Sequence, residues 1–181
     1  MLRLRPYKKC DAAYVVSWLG DEEIFWKWCA GVFGHFPISA DALNEYYDKF
    51  ADSDHFFEWT AFDADGPAGH MIMRFLNEEK SVLRFGLIVV DHTRRGRGYG
   101  KEMLLLALRY AFDILKTQKV SVGVFDNNPA AHHCYTSIGF HETEEQEIYH
   151  LMGENWRYRI LEMNQSDFIH QERILSGLNF R

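Results

Sequence analysis

Residues 95–101 read RGRGYGK, with Gly96, Gly98 and Gly100 alternating with Arg95, Arg97, Tyr99 and Lys101. A β-branched stretch ending in Ile88, Val89 and Val90 runs into this cluster, and a long apolar segment leaves it. The first N–H groups of a helix lack intrahelical partners, and the helix dipole adds positive charge there. Glycines remove obstructing Cβ atoms and permit unusual torsions, so a phosphate can approach the bare backbone. Arg95, Arg97 and Lys101 add formal charge around the same point. The chemistry implied is a pyrophosphate cradle between a strand and the helix that follows it. Two familiar phosphate loops do not fit. The ATP/GTP loop needs Gly, four residues, then Gly-Lys-Ser/Thr; here Glu102 follows Lys101, and Arg95 stands where the first glycine should be. The dinucleotide fingerprint fails because the glycines alternate without its extra residue.

Such a cradle has to be held by the elements on either side. Residues 81–90 read as an apolar strand, 99–116 as a helix buried around most of its girth, and 119–125 as another strand. Strand, helix and strand over this length make a βαβ unit with parallel strands and a right-handed crossover. Upstream, 2–7 alternates like a strand, and Asp11 and Gly20 bracket a short helix. A second helical piece from 21 dissolves into a Gly-punctuated aromatic loop, and Ser39 caps a third helix. DADG (63–66) joins two strands as a hairpin, and NEEK (77–80) is a second turn. Downstream, Asn128, Pro129 and Gly139 delimit a short helix, and MGEN (152–155) turns between two closing strands. The expected class is α/β, a mixed sheet flanked by helices.

The same residues resemble a known family. RGRGYG matches the R/Q-x-x-G-x-G/A signature of the GCN5-related N-acetyltransferases (GNAT), and NPAAHHCYTSIGF (128–140) matches their N-x-x-A-x-x-x-Y-x-x-x-G-F. The resemblance covers residues 1–164, the expected catalytic domain, and leaves 165–181 as a tail. It implies acetyl-CoA as cosubstrate and a direct attack by an amine on the thioester. By position, the main chain of Ile88, Val89 and Val90 would bond the pantetheine arm, and amides from Arg95 to Lys101 would hold the pyrophosphate. A strand N–H near Val90 would receive the developing oxyanion. Asn128 would touch pantetheine or cap its helix. Tyr135 would protonate the departing thiolate; a phenol of pKa about 10 stays protonated at neutral pH yet can donate to an alkylthiolate. Tyr135 also suits a packing role on the sheet.

The base that deprotonates the amine is not evident. Many relatives place an acid on the long central strand, but SVLRFGLIVV (81–90) has none. Glu58, Glu78, His35 and His70 are candidates, as is a water chain. The missing acid tilts the acceptor towards an amine of low pKa, since an α-amino group near roughly 8 needs less help than a lysine near roughly 10.4. Residues 21–36, acidic and aromatic, occupy the region where the family builds its acceptor pocket. The acceptor is a small-molecule amine or a protein amino group. The rival reading is a non-catalytic acyl-CoA-binding or sensing module.

The whole chain bounds these readings. Its 181 residues, 47% hydrophobic, suit one domain with a sizeable core. A net charge of −6 gives no reason to seek nucleic acid. Cys10, Cys29 and Cys134 have no metal or redox spacing and point to reduced thiols in the cytoplasm. No apolar run approaches a membrane span. HHC (132–134) is not read as a metal site, because adjacent helix positions point about 100° apart. Phe168, Ile169, Ile174, Leu175 and Leu178 would share a short tail helix, packed on its own domain or, the favoured outcome, in a homodimer.

Overall fold

The computed structural model describes residues 1–169. Its strands are β1 (Arg3–Pro6), β2 (Phe56–Asp63), β3 (Gly66–Phe75), β4 (Val82–Val90), β5 (Lys119–Phe125), β6 (His141–Leu151) and β7 (Glu154–Asn164). They form one sheet in the order β1-β2-β3-β4-β5-β7-β6, parallel only between β4 and β5. The crossover between those two is α4 (Tyr99–Arg109), which shares one face with α5 (Pro129–Ser137). On the other face lie α1 (Ala12–Trp18), α2 (Glu22–Cys29) and α3 (Ala40–Asp48). The mixed sheet with helices on both faces is the expected fold. Among the described residues no helix is long and apolar enough to cross a membrane.

Local signals account for most boundaries. Asp21 and Ser39 cap α2 and α3 by accepting from the amides of Ile24 and Ala42, each at 3.0 Å. Asn77 Oδ1 accepts from the amides of Ser81 and Val82 and closes the β3–β4 turn. The β6–β7 turn is tighter than MGEN suggests: Met152 and Gly153, with φ of 54° and 78°, make a two-residue hairpin.

Two expectations need correction. Asp11 does not cap the first helix with its side chain. Its carboxylate is 2% exposed and accepts from Arg5 (2.6 and 2.8 Å), the Lys8 amide (2.9 Å) and the Thr60 hydroxyl (2.8 Å). Burial pushes its pKa up, but these donors outweigh burial and hold it below the usual carboxylate range. The helix expected over 99–116 is regular only to Arg109. It then widens into one turn over Tyr110–Ile114, where the Leu115 amide bonds the Tyr110 carbonyl, and ends at Lys116 with φ 57°. The tail's described helical stretch is 165–169. Phe168 is 2% exposed and packs 5.3 Å from Phe112, in the same core as α4, while Ile169 is exposed. Ile174, Leu175 and Leu178 lie outside the described residues.

The core on the α1–α3 side contains one unusual group. His70 on β3 is fully buried, with Nε2 2.6 Å from the Tyr47 hydroxyl and Nδ1 without a hydrogen-bond partner among the described residues. Burial lowers its pKa to about 3, so the folded chain keeps it neutral. The unfolded chain takes up the proton near pH 6.5. Stability from this group is therefore fully present above that pH and lost as pH falls from 6.5 towards 3. The expected slope is more than about 1 kcal/mol per pH unit. Denaturant melts of wild type and His70→Phe between pH 7 and 4.5 check this; the variant, though less stable at pH 7, should show the shallower acid dependence.

Candidate active site

The parallel pairing of β4 with β5 runs from Val82 opposite Lys119 to Phe85 opposite Val122, and stops. The cause lies across the sheet. On β3, Ile72 faces Gly86 and His70 faces Val89, so Leu87 and Ile88 together oppose the single residue Met71. This is a β-bulge, with Leu87 held at φ 46°. A bulge bends and twists its strand, and here it swings the end of β4 away from β5. It also reverses the facing of the side chains. Leu83 and Phe85 enter the α4 core, Leu87 and Val89 enter the α1–α3 core, and Ile88 and Val90 turn back towards α4. A leucine at positive φ costs about 1–2 kcal/mol, offset by burying its side chain to 7% exposure. Beyond Phe85 the β5-facing edge of β4 has backbone groups and no strand to pair with.

The gap is a cavity of about 670 Å³. Ile88, Val89, Val90, Arg95, Gly96, Gly98, Tyr99, Gly100, Lys101, Asn128 and Tyr135 all border it, so the structure brings these expected residues together. Arg97 does not; its guanidinium stands 5.9 Å over the Tyr99 ring. Lys27, Arg94, Arg95 and Lys101 border it, Lys27 paired with Glu23 at 2.6 Å, and no carboxylate borders it among the described residues. That balance suits an anionic ligand.

At the mouth, Gly98 is the N-cap of α4 at φ 84° and Gly96 sits at φ 71°. A Cβ on either would meet nothing within 4 Å, so the bare backbone faces open space. The Glu102 amide bonds the Gly98 carbonyl, which leaves the amides of Tyr99, Gly100 and Lys101 as first-turn donors. This arrangement fits a pyrophosphate. Gly100 serves differently: a Cβ there would lie 3.6 Å from Cys134 Sγ and 3.8 Å from Val90 Cγ2, where α4, α5 and β4 converge.

One anchor of this loop escaped sequence reasoning. Asp63, in the β2–β3 hairpin, pairs with Arg94 and accepts from the Tyr99 hydroxyl at 2.7 Å. Hydrogen bonds from Arg94 and Tyr99 hold its carboxyl well below the usual range. Asp91 pairs with the same Arg94 and accepts from the Thr93 amide at 2.9 Å. Arg94 is thus committed to the scaffold, while Arg95, Arg97 and Lys101 make no ion pair among the described residues. No local pattern could have revealed this, because Asp63 and Arg94 are 31 residues apart.

Tyr135 stands on α5, 6% exposed, and borders the cavity. Burial drives its pKa well above that of a free phenol, so the hydroxyl keeps its proton. Asn128 Oδ1 accepts from the Ala131 amide at 3.2 Å, so it caps α5 while also bordering the cavity. The floor includes a residue not anticipated, Tyr158 of β7, whose ring lies across Gly123. A Cβ at Gly123 would come within 2.0 Å of Tyr158 Cζ. The signal was present: a lone glycine inside KVSVGVF marks a close approach. Gly123→Ala should push the ring from its seat, destabilise the fold by about 1–3 kcal/mol and reshape the cavity. Thermal melts together with acetyl-CoA titration check this.

None of the four candidate bases reaches the cavity wall. Glu58 is half-buried on β2, its pKa raised by burial. Glu78 is exposed in the β3–β4 turn, His35 is exposed between α2 and α3, and His70 lies in the core. In the HHC stretch, His132 pairs with Glu142 at 2.7 Å and Cys134 packs on Gly100.

Splayed parallel strands, a glycine cradle at the start of the crossover helix and a tyrosine on the next helix define a class of protein. The family model for the acetyltransferase (GNAT) domain matches residues 1–141, and the chain belongs to that family. Among curated proteins it is 31% identical over 106 residues to the SPbeta prophage-derived uncharacterized N-acetyltransferase YokL of Bacillus subtilis, a match spanning 59% of each chain. It is 25% identical over 159 residues to spermidine N(1)-acetyltransferase of Vibrio cholerae, covering 87% of this chain and 88% of that one. Spermidine N-acetyltransferase from Vibrio cholerae, crystallised with CoA and spermine, shares the fold with a TM-score of 0.80. That match has 24% identity and covers 93% of this chain and 98% of the other.

Proposed function

We propose that this chain is an N-acetyltransferase that moves the acetyl group of acetyl-CoA to an amine. The observation that carries the reading is the cavity that starts where β4 leaves β5 and ends at the glycine cradle, with Tyr135 on its wall. Family membership and the N-acetyltransferase relatives support it. Acetyl-CoA supplies an activated thioester, and the residues divide the rest of the work. Amides of Tyr99, Gly100 and Lys101, with the charges of Arg95 and Lys101, would hold the pyrophosphate. The unpaired edge of Ile88, Val89 and Val90 would align the pantetheine arm, and an amide on that edge would meet the charge developing on the carbonyl oxygen. Tyr135 would hand its proton to the departing thiolate. Asn128 would keep α5, and so Tyr135, in register, and reach pantetheine.

The spermidine acetyltransferase relatives support a small-molecule amine as acceptor; a peptide amino group is the second class to test. The catalytic unit would span 1–164, with 165–181 as a tail that takes part in a homodimer. Three unbonded cysteines support a reducing compartment, the cytoplasm. The test is an amine and peptide panel with acetyl-CoA, monitored by free thiol. Release with one class supports the reading. Tight acetyl-CoA binding with no release from any class would favour a sensing module instead.

A further inference from the structure

Just short of the point where β4 leaves β5, the sheet face opposite α4 carries two arginines with no ion pair. Arg74 of β3 and Arg84 of β4 are cross-strand partners, so their side chains leave the same face as neighbours. Like charges in that relation destabilise a sheet, and these strands lie inside the sheet rather than at its edge. Arg84 Nε donates to Ser121 Oγ at 2.7 Å, which orients the guanidinium and leaves its terminal nitrogens for another partner. Neither arginine is ion-paired among the described residues. Arg84 is two residues from Gly86, about 7 Å along the strand, and Gly86 borders the cavity.

Phenols surround the pair. Tyr158 borders the cavity and lies 5.3 Å, ring to ring, from Tyr149. Burial raises the pKa of both; Arg84 acts against that rise on both, and Arg74 also on Tyr158. Tyr46 of α3 feels Arg74 in the same way, with Lys49 standing 5.9 Å over its ring. Nearby carboxylates are engaged or do not reach. Glu147 accepts from the Tyr149 hydroxyl at 2.9 Å, Glu162 pairs with Lys119 at 2.8 Å, and Glu58 forms no ion pair with Arg74.

Paired guanidiniums beside phenolic donors match the oxygens of a carboxylate or phosphate, which arginine engages through parallel N–H···O bonds. We propose that this patch receives an anionic oxyacid group of the acceptor, so that the amine acetylated here also carries a carboxylate or a phosphate. The proposal rests on the N-acetyltransferase reading and names its substrate class. It departs from the spermidine of the relatives, because a polycation would set ammonium groups against two guanidiniums.

The test compares acceptors in pairs by thiol release: an amino acid against its decarboxylated amine, an amino sugar phosphate against the amino sugar, and spermidine beside them. The anion-bearing member is expected to have a kcat/KM about ten-fold or more higher, the scale of a charged hydrogen-bonded contact. In Arg84→Met that ratio should collapse towards one, mainly through KM. Arg74→Gln, at the more exposed position, should do the same if Arg84→Met folds poorly. The two pairs separate carboxylate from phosphate. A wild-type ratio near one, or a preference for spermidine, overturns the proposal.

Failure of the underlying reading looks different, since no amine of any class would then release thiol. In that case calorimetry on CoA-saturated protein decides. N-acetylglycine or N-acetylphosphoethanolamine binding more tightly than N-ethylacetamide, and losing that advantage in Arg84→Met, sustains the anion site. Equal binding overturns it.

Discussion

Tyr135→Phe is expected to lower turnover on the order of 10²-fold or more while leaving acetyl-CoA affinity nearly unchanged. Loss of a general acid commonly has that effect on rate, whereas one hydroxyl contributes roughly 1 kcal/mol to binding. The ring stays, so the packing of Tyr135 on the Phe140 side of the core stays with it. Rapid-quench turnover and equilibrium titration on the same preparation separate the two quantities. The buried phenol adds a second signature. Because burial raises its pKa, the proton is retained well into alkaline solution, and no loss of rate between pH 8 and 10 should trace to Tyr135. A variant that turns over like the wild type would reduce Tyr135 to a packing residue and leave the proton to water.

Gly98→Val is expected to weaken acetyl-CoA binding ten-fold or more in a chain that still folds. Two effects add. A β-branched residue at φ 84° is strained by at least about 1–2 kcal/mol, and its methyl groups would fill the open space in front of the first-turn amides. A phosphate held by those amides would lose charge-assisted bonds worth roughly 1.5–3 kcal/mol each. Gly98→Ala, with the strain but less of the obstruction, should fall between. Calorimetry with acetyl-CoA, alongside a thermal melt, decides it. Affinity equal to wild type would move the pyrophosphate elsewhere.

How much of this was legible beforehand divides along a physical line. Features set by neighbours in the chain are readable from the order of residues alone. The glycine cradle, the βαβ unit, the caps at Ser39 and Asn128 and the tyrosine on the next helix all follow from spacing, because helix termini and turns are satisfied within a few residues. Two motifs of this local kind were enough to suggest the family and eleven of the residues that border the cavity. Contacts between distant segments were decided by the tertiary structure alone. The pairing of Asp63 with Arg94, the carboxylate of Asp11 turned to Arg5 and Thr60, and the juxtaposition of Arg74 with Arg84 depend on strand register. A one-residue slip would send Thr60, Asp63, Arg74 or Arg84 to the other face of the sheet. The bulge at Leu87 belongs to the same group. A leucine gives no warning that it will adopt φ 46°, yet that single extra residue reverses the facing of β4 and opens the gap between β4 and β5. Only the packed sheet, with Ile72 and His70 already in place opposite, makes that conformation the stable one.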